Sequence, residues 1–344
     1  MTSMKAMVLN KLCNLTENQM PLTLIELPVP VPGDRELLLK VSVCGVCHTE
    51  LDEIEGRTPP SQLPRVPGHQ VVGRVEAIGS KVSTIKIGDR IGVAWIFSAC
   101  ETCKFCLAGN ENLCESFKAT GRDANGGYAQ YMTVAENFAY PIPAVFSDAQ
   151  AAPLFCAGAI GYRSLQLTGL KDGQRLGLTG FGASAHLVLK MVKYQYPNTD
   201  VYVFARSAEE RAFARELGAD WAGDTTDHPP YKLDSIIDTT PAWAPIVEGL
   251  SNLEPGGRLV INAIRKENDK RSLLNLDYPA HLWQEKEIKS VANITRRDVK
   301  EFLNLAAEMN IKPEVQIFAL EQANEALLEL KAGKIRGAKV LKIA

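Results

Sequence analysis

The stretch "CETCKFCLAGNENLC", Cys100 to Cys114, gathers four of the chain's eight cysteines. Cys100, Cys103 and Cys106 follow one another with two residues between neighbours, and Cys114 comes after seven more. Thiolates at C-x-x-C spacing can share one metal ion, and four of them close a tetrahedron around zinc. Disulfides are the alternative for cysteines so dense, but they belong to oxidising compartments. The opening "MTSMKAMVLNKLCNLTENQM" has neither the apolar core nor the cleavage pattern of a secretory signal. The expectation is therefore a cytoplasmic protein whose four clustered cysteines hold a structural zinc. Such a site, in a lobe of about residues 98–116, ties a loop together and leaves no position for a substrate.

The remaining cysteines are Cys13, Cys44, Cys47 and Cys156. "CGVCHTE" holds one C-x-x-C pair with no second pair to match it, "PGHQ" contains His69, and "APLFCAG" contains Cys156. A catalytic zinc takes three protein ligands and keeps a fourth position open for water or substrate. His69, Cys156 and one member of the 44/47 pair would supply such a site. Spacing alone does not choose between Cys44 and Cys47.

"GLTGFGASAH" places Gly180 and Gly182 at the first two glycines of G-x-G-x-x-G/A and Ala185 at the third, with Phe181 and Ala183 in the same turn. The first glycine permits the tight turn, and the second lets the backbone approach a pyrophosphate. The third small residue lets helix pack on strand, and the helix N-terminus favours the anion. The following strand ends "VFARS". A strand that binds NAD usually ends on an acid that takes the ribose hydroxyls. Ala205 stands there instead, followed by Arg206 and Ser207. A 2′-phosphate is thereby favoured, so NADP(H) is the expected cofactor, with NAD(H) admitted if Arg206 only stacks on adenine.

The elements that must hold these residues differ between the two parts of the chain. The first 150 residues or so read as short strands, "LLLKVSV", "VVGRVEAIG" and "IGDRIGV" among them, punctuated by Pro and Gly; this suits a β-rich, barrel-like domain. From Ala157 onward strands alternate with helices: "QRLGLTG", a helix over 183–195, "VYVFA", "AEERAFARELGA", "LDSIIDT", "PIVEGLSNL" and "GRLVINA". That alternation predicts a parallel, doubly wound sheet, and the chain as a whole is α/β. The tail adds "DVKEFLNLAAEM", "VQIFAL", "EQANEALLELKAG" and "AKVLKI", which are expected to return and complete the first domain. The domains are thus 1–156 completed by 296–344, and 157–295.

Of the 344 residues, 46% are apolar and 23% charged, with a net charge of −2. That balance supports a large core and gives no electrostatic reason for nucleic acid. No apolar run approaches a membrane span, so the expected partner is a small molecule, with no nucleic acid and no membrane.

The motifs "GVCHTE", "PGHQVVG", "GDRIGV", the four-cysteine lobe, "CAG", "GFGASA" and "LEPGGRLV" together resemble the zinc-dependent alcohol dehydrogenases of the medium-chain dehydrogenase/reductase superfamily, over essentially the whole chain. The resemblance implies a GroES-like catalytic domain built from both chain ends around a Rossmann domain. It selects Cys47 over Cys44 as the zinc cysteine beside His69 and Cys156, and makes Cys44 and Cys13 buried bystanders. It implies two zinc ions per chain and reversible hydride transfer between a primary alcohol and a nicotinamide cofactor. Thr49 takes the place of the hydroxyl that passes on the alcohol's proton, His48 that of a side chain reaching the cofactor pyrophosphate, and Arg336 that of a pyrophosphate arginine. A homotetramer is expected, with a homodimer as the alternative.

Three positions depart from the family pattern. Glu50 replaces the usual Asp that orients the zinc histidine, Gln70 replaces a common acid, and Asp52 stands where a histidine often ends the proton relay. These changes touch proton release and leave the metal ligands intact. Trp95, Ile96 and Phe97 are either an apolar substrate wall or core; His186, His228 and His281 read as surface or capping residues. A catalytically silent dinucleotide-binding protein would be favoured by loss of a zinc ligand, and none is lost. A zinc-free quinone or enoyl reductase has no use for Cys47, His69 and Cys156 together. Polyol dehydrogenases commonly carry a carboxylate where Cys156 stands.

Overall fold

The computed structural model describes residues 2–266, 269–334 and 337–343. The chain divides into two compact units, Met1–Cys156 with Ile294–Ala344, and Ala157–Asn293. Among the described residues no helix is long and apolar enough to cross a membrane.

The first unit is organised by one long strand, Glu36–Val46, whose "ELLLKVSVCGV" is buried along most of its length. Its first half pairs with Tyr131–Ala135, and its second half pairs with the chain's last strand, Ala338–Lys342. Val71–Ile78 covers its other edge, and Arg90–Val93 and Ala139–Pro141 follow in turn. All of these pairings are antiparallel, while Val315–Ala319 lies parallel to Ala338–Lys342 at the edge. The tail returns because the Val43–Val46 half would otherwise expose a row of unpaired backbone groups. Leu37, Leu39, Val41 and Cys44 from this strand meet Val71, Ile91 and Leu341 in the core, with Cys13 half-buried at its margin.

The returning segment also grips the four-cysteine lobe. Thr295 caps the helix Arg296–Glu308: its Oγ1 accepts from the Asp298 amide, and Asp298 Oδ2 accepts from the Thr295 amide. Arg296, the first residue of that helix, donates its backbone N–H (2.5 Å) and its Nε–H (3.2 Å) to Glu111 Oε1. Its Nη1 reaches Glu101 Oε1 at 2.8 Å, and its guanidinium lies over the Phe138 ring. Glu111 is fully buried in a 3₁₀ turn of the lobe. A buried carboxylate of this kind needs its cation.

The second unit is a six-stranded parallel sheet in the order 221–223, 200–204, 175–179, 233–238, 253–261, 287–290. Its central strands are buried on both faces, and their apolar runs are continuous rather than alternating. The helix Ala183–Gln195 buries Ala185, Val188, Leu189 and Val192, a stripe at helical spacing. The strand order reverses between Arg175–Thr179 and Leu233–Asp238, where sheets of this class take their ligands.

Arg296→Met removes the cation and leaves Glu111 buried without it. The expected loss is roughly 3 kcal/mol, the low end for breaking a buried pair because the arginine is partly exposed. Urea unfolding of the metal-loaded protein checks it; an unchanged midpoint would show that the clamp contributes nothing.

Candidate metal centre and dinucleotide cradle

Three elements of the first unit converge on one point. Cys47 is the N-cap of the helix His48–Ile54, directly after the long strand. His69 lies two residues before the strand Val71–Ile78, and Cys156 is the C-cap of the 3₁₀ turn Ala152–Phe155. That turn is seated by Phe155, whose ring lies where a Cβ on Gly92 would be, 1.9 Å from the ideal position. Position 92 therefore has room for hydrogen alone. Ligand atoms of Cys47, His69 and Cys156 lie within 4.8 Å of one another, and the two sulfurs are 3.7 Å apart. Sulfurs bound tetrahedrally to one zinc at about 2.3 Å sit roughly 3.8 Å apart, so the spacing fits.

Glu50 orients the set. Its Oε1 is 2.6 Å from His69 Nδ1, and its Oε2 accepts from the Cys47 amide at 2.8 Å. With Nδ1–H donated to the carboxylate, the Nε2 lone pair is left facing inward. Nε2 is buried and has no hydrogen-bond partner among the described residues. A metal ion would satisfy it.

The side chains by themselves are already biased toward this use. The Cys47 thiol is held well below its ordinary pKa, chiefly by the hydrogen bond from Cys156 and then by His69; Cys156 is pushed up correspondingly. Burial pulls His69 down, but the charges of Glu50 and Cys47 and the hydrogen bonds to both together outweigh it and hold the imidazole well above the usual range. Burial raises Glu50 itself. Metal binding must displace the protons these groups share.

Neighbouring residues sort into several roles. Thr49 is buried, with Oγ1 3.6 Å from Cys47 Sγ, while His48 is exposed. Asp52 is buried, and its Oδ1 accepts from Arg57 Nε at 2.6 Å. That ion pair braces the 52–57 turn, and a proton arriving at Asp52 would have to compete with it. Gln70 packs over the strand, its Oε1 2.5 Å from where a Gly45 Cβ would lie. Cys44 is buried and donates to the Gly45 carbonyl, apart from the converging set. Trp95 and Ile96 belong to the core, and Phe97 is half-buried.

In the lobe, ligand atoms of Cys100, Cys103, Cys106 and Cys114 also lie within 4.8 Å of one another, and no cysteine of the chain is disulfide-bonded. The backbone amides of Cys103 and Cys106 point at the sulfurs of Cys100 and Cys103. Hydrogen bonds from the Thr102 amide and its neighbours bring Cys100 down to about 6, whereas burial pushes Cys106 up to about 12. Four donors and no open position make a closed site.

The second unit holds the cradle. Gly180 ends the strand with φ +76, a conformation that side chains rarely adopt. Gly182 is the N-cap of the helix Ala183–Gln195, and a Cβ built on it meets nothing within 4 Å. Packing does not demand glycine at 182, but close approach of a pyrophosphate does. Gly182 and Ala183 are exposed, and Phe181 is buried edge-on against Phe213. Ala205 is buried, Arg206 is exposed, and Arg211 braces the turn between them by donating Nη1 to both carbonyls. The Ser207 hydroxyl accepts from the Glu210 amide and donates to Glu209, so it caps the next helix. Arg336 lies outside the described residues.

Three residues went unseen in the sequence: Arg211, Arg296 and Glu53. Glu53 is buried, its two carboxylate oxygens have no partner among the described residues, and burial raises its pKa well above the usual range. Its spacing of three from Glu50 puts it on the same helix face, which is the signal that could have found it.

Comparison with known proteins agrees with this geometry. Residues 33–144 match the alcohol dehydrogenase GroES-like domain. A probable alcohol dehydrogenase AdhA of Mycobacterium tuberculosis is 42% identical over 328 residues, covering 94% of this chain and 93% of that protein. An alcohol dehydrogenase of Geobacillus stearothermophilus is 32% identical over 334 residues, covering 94% and 96%. The cobalt- and zinc-bound thermostable alcohol dehydrogenase from Pyrobaculum aerophilum shares the fold with a TM-score of 0.87 at 23% identity, over 99% and 100% of the two chains. By sequence similarity along nearly its full length, the chain belongs to the zinc-type alcohol dehydrogenase family of the medium-chain dehydrogenases/reductases.

Proposed function

We propose that the chain interconverts primary alcohols and aldehydes by hydride exchange with a nicotinamide dinucleotide, NADP(H) in preference to NAD(H). Cys47, His69 and Cys156 would hold a catalytic zinc, and Cys100, Cys103, Cys106 and Cys114 a structural one. The observation that carries this reading is the buried, unsatisfied His69 Nε2 beside two thiols, a set of three donors, one short of a closed tetrahedron. When bound, zinc would supply a Lewis acid that makes an alcohol hydroxyl more acidic, and a nicotinamide would supply the hydride acceptor.

The chain's own groups do the rest. Glu50 keeps His69 in one tautomer and one orientation. Thr49 Oγ1, next to the Cys47 sulfur, is placed to take the hydroxyl proton and hand it on. Asp52 stays on Arg57 and fixes the turn. His48 is exposed and is assigned to the cofactor from the family resemblance. Gly180, Phe181, Gly182 and Ala183 would form the pyrophosphate turn, and the exposed Arg206 would meet a 2′-phosphate. The proposed setting is the cytoplasm and the proposed assembly a homotetramer, with a homodimer as the alternative; a monomer by light scattering would contradict both assemblies.

The metals are separable by mutation. Elemental analysis of the loaded protein should give two zinc ions per chain. Cys47→Ser should abolish turnover and leave thermal stability nearly unchanged, because the centre is only partly closed. Cys103→Ser should lower the melting temperature, since a closed four-thiolate site contributes folding free energy. One zinc per chain, or equal effects of the two variants on stability, would overturn the division of roles.

Cofactor preference rests on Ala205 and Arg206. A charge-assisted hydrogen bond contributes about 1.5–3 kcal/mol, and an exposed arginine should sit at the low end, about tenfold in affinity. Arg206→Ala should raise KM for NADP more than for NAD, and Ala205→Asp should move preference toward NAD. Higher wild-type kcat/KM with NAD, together with equal effects of Arg206→Ala on both cofactors, would reduce the arginine to an adenine shelf.

A further inference from the structure

Asp238 is the last residue of the strand Leu233–Asp238 and is paired in register with Thr179, the residue before Gly180. It therefore sits at the reversal of strand order, beside the pyrophosphate turn. Its carboxylate is fully buried. An acid here is unexpected, since it would repel the anion the turn is shaped to receive.

The repulsion is removed by Lys266. Its Nζ lies 2.5 Å from Asp238 Oδ2 and donates to the carbonyls of Thr240 (2.9 Å) and Ala242 (3.0 Å). Three protons thus meet three acceptors, and the ammonium is almost entirely buried. Asp238 Oδ1 accepts from the Thr240 hydroxyl at 2.7 Å. Thr239 in turn donates its amide and hydroxyl to the Thr179 carbonyl, and its Oγ1 is 2.8 Å from where a Gly180 Cβ would lie. The 239–242 turn so braced rests directly against the Gly180 backbone.

We propose that Lys266 is a positioning residue for the dinucleotide, acting through Asp238: it neutralises the buried carboxylate at the strand end so that a pyrophosphate can settle on the Gly180 turn. Packing alone does not call for the pair, because two apolar side chains would fill the space without burying charge. The inference rests on reading the Gly180 turn as the dinucleotide site, and its test separates the two.

The zinc-loaded enzyme and its Lys266→Met, Asp238→Asn and doubly substituted variants are titrated with NADPH and NADH by nicotinamide fluorescence. Saturated kcat and melting temperature without cofactor are measured in parallel. Lys266→Met leaves a bare carboxylate by the turn, so its Kd for the preferred cofactor should rise about tenfold or more while saturated kcat stays within about twofold. The double variant removes both charges and should return Kd to within about threefold of wild type. A double variant as weak as Lys266→Met, or a Lys266→Met variant that binds like wild type, overturns the proposal. Should Lys266→Met fail to fold, Asp238→Asn decides: an unopposed ammonium should bind cofactor at least as tightly as wild type, and weaker binding overturns the proposal. Wild-type protein that binds neither nucleotide would instead remove the dinucleotide reading itself.

Discussion

One carboxylate holds the metal centre together. Glu50 bonds to the amide that starts its own helix and to an imidazole nineteen positions away, so the helix start and the strand Val71–Ile78 are locked to each other. The partners are buried, and low local dielectric makes those two bonds strong and their loss severe. Everything else at the centre follows from this lock. It decides the His69 tautomer, it aims Nε2 inward, and it fixes the distance from His69 to the Cys47 cap. Cys156 then has only to be delivered, which the Phe155–Gly92 contact does from the sheet. The Glu50 side chain spans both groups with one carboxylate.

The two cysteine clusters show how similar chemistry is turned to opposite ends. In the lobe four sulfurs face one another, and backbone amides already point at two of them. Its attachment to the returning tail, through Glu111 and Arg296, makes the lobe part of the first unit's frame. At the other centre there are three donors, and Thr49 Oγ1 lies 3.6 Å from the Cys47 sulfur. Closure gives stability, and the missing fourth donor gives reactivity.

The sequence disclosed what depends on short spacing. C-x-x-C repeats, the strand–glycine–helix turn and the "VFARS" strand end are local patterns, and their elements lie within a residue or two of the expected positions. It concealed what depends on distance along the chain. Glu111 and Arg296 are 185 positions apart, and Asp238 and Lys266 are 28 apart; each looks like an ordinary surface charge until the fold buries its partner. Ser207 is a different case. Its "SAEE" context is an N-cap pattern legible in the sequence, and the hydroxyl caps the next helix.

Charge balance around the catalytic centre gives the departures from the family pattern a common sense. With zinc bound, two thiolates and a dication would cancel, so every further buried acid would add net negative charge to a buried region. Glu50 is tolerated because His69 shares its proton. Glu53, on the same helix face, has no such partner among the described residues, and burial drives it toward the neutral acid. A third carboxylate at position 70 would find no comparable relief, and Gln70 avoids one while still packing over Gly45. Asp52 is paired with Arg57. The acids of this helix are therefore held in three different ways, by proton sharing, by neutralisation and by an ion pair. Because each way is already in use, a proton handed on by Thr49 in the proposed reaction would go more readily to a neighbour outside this set.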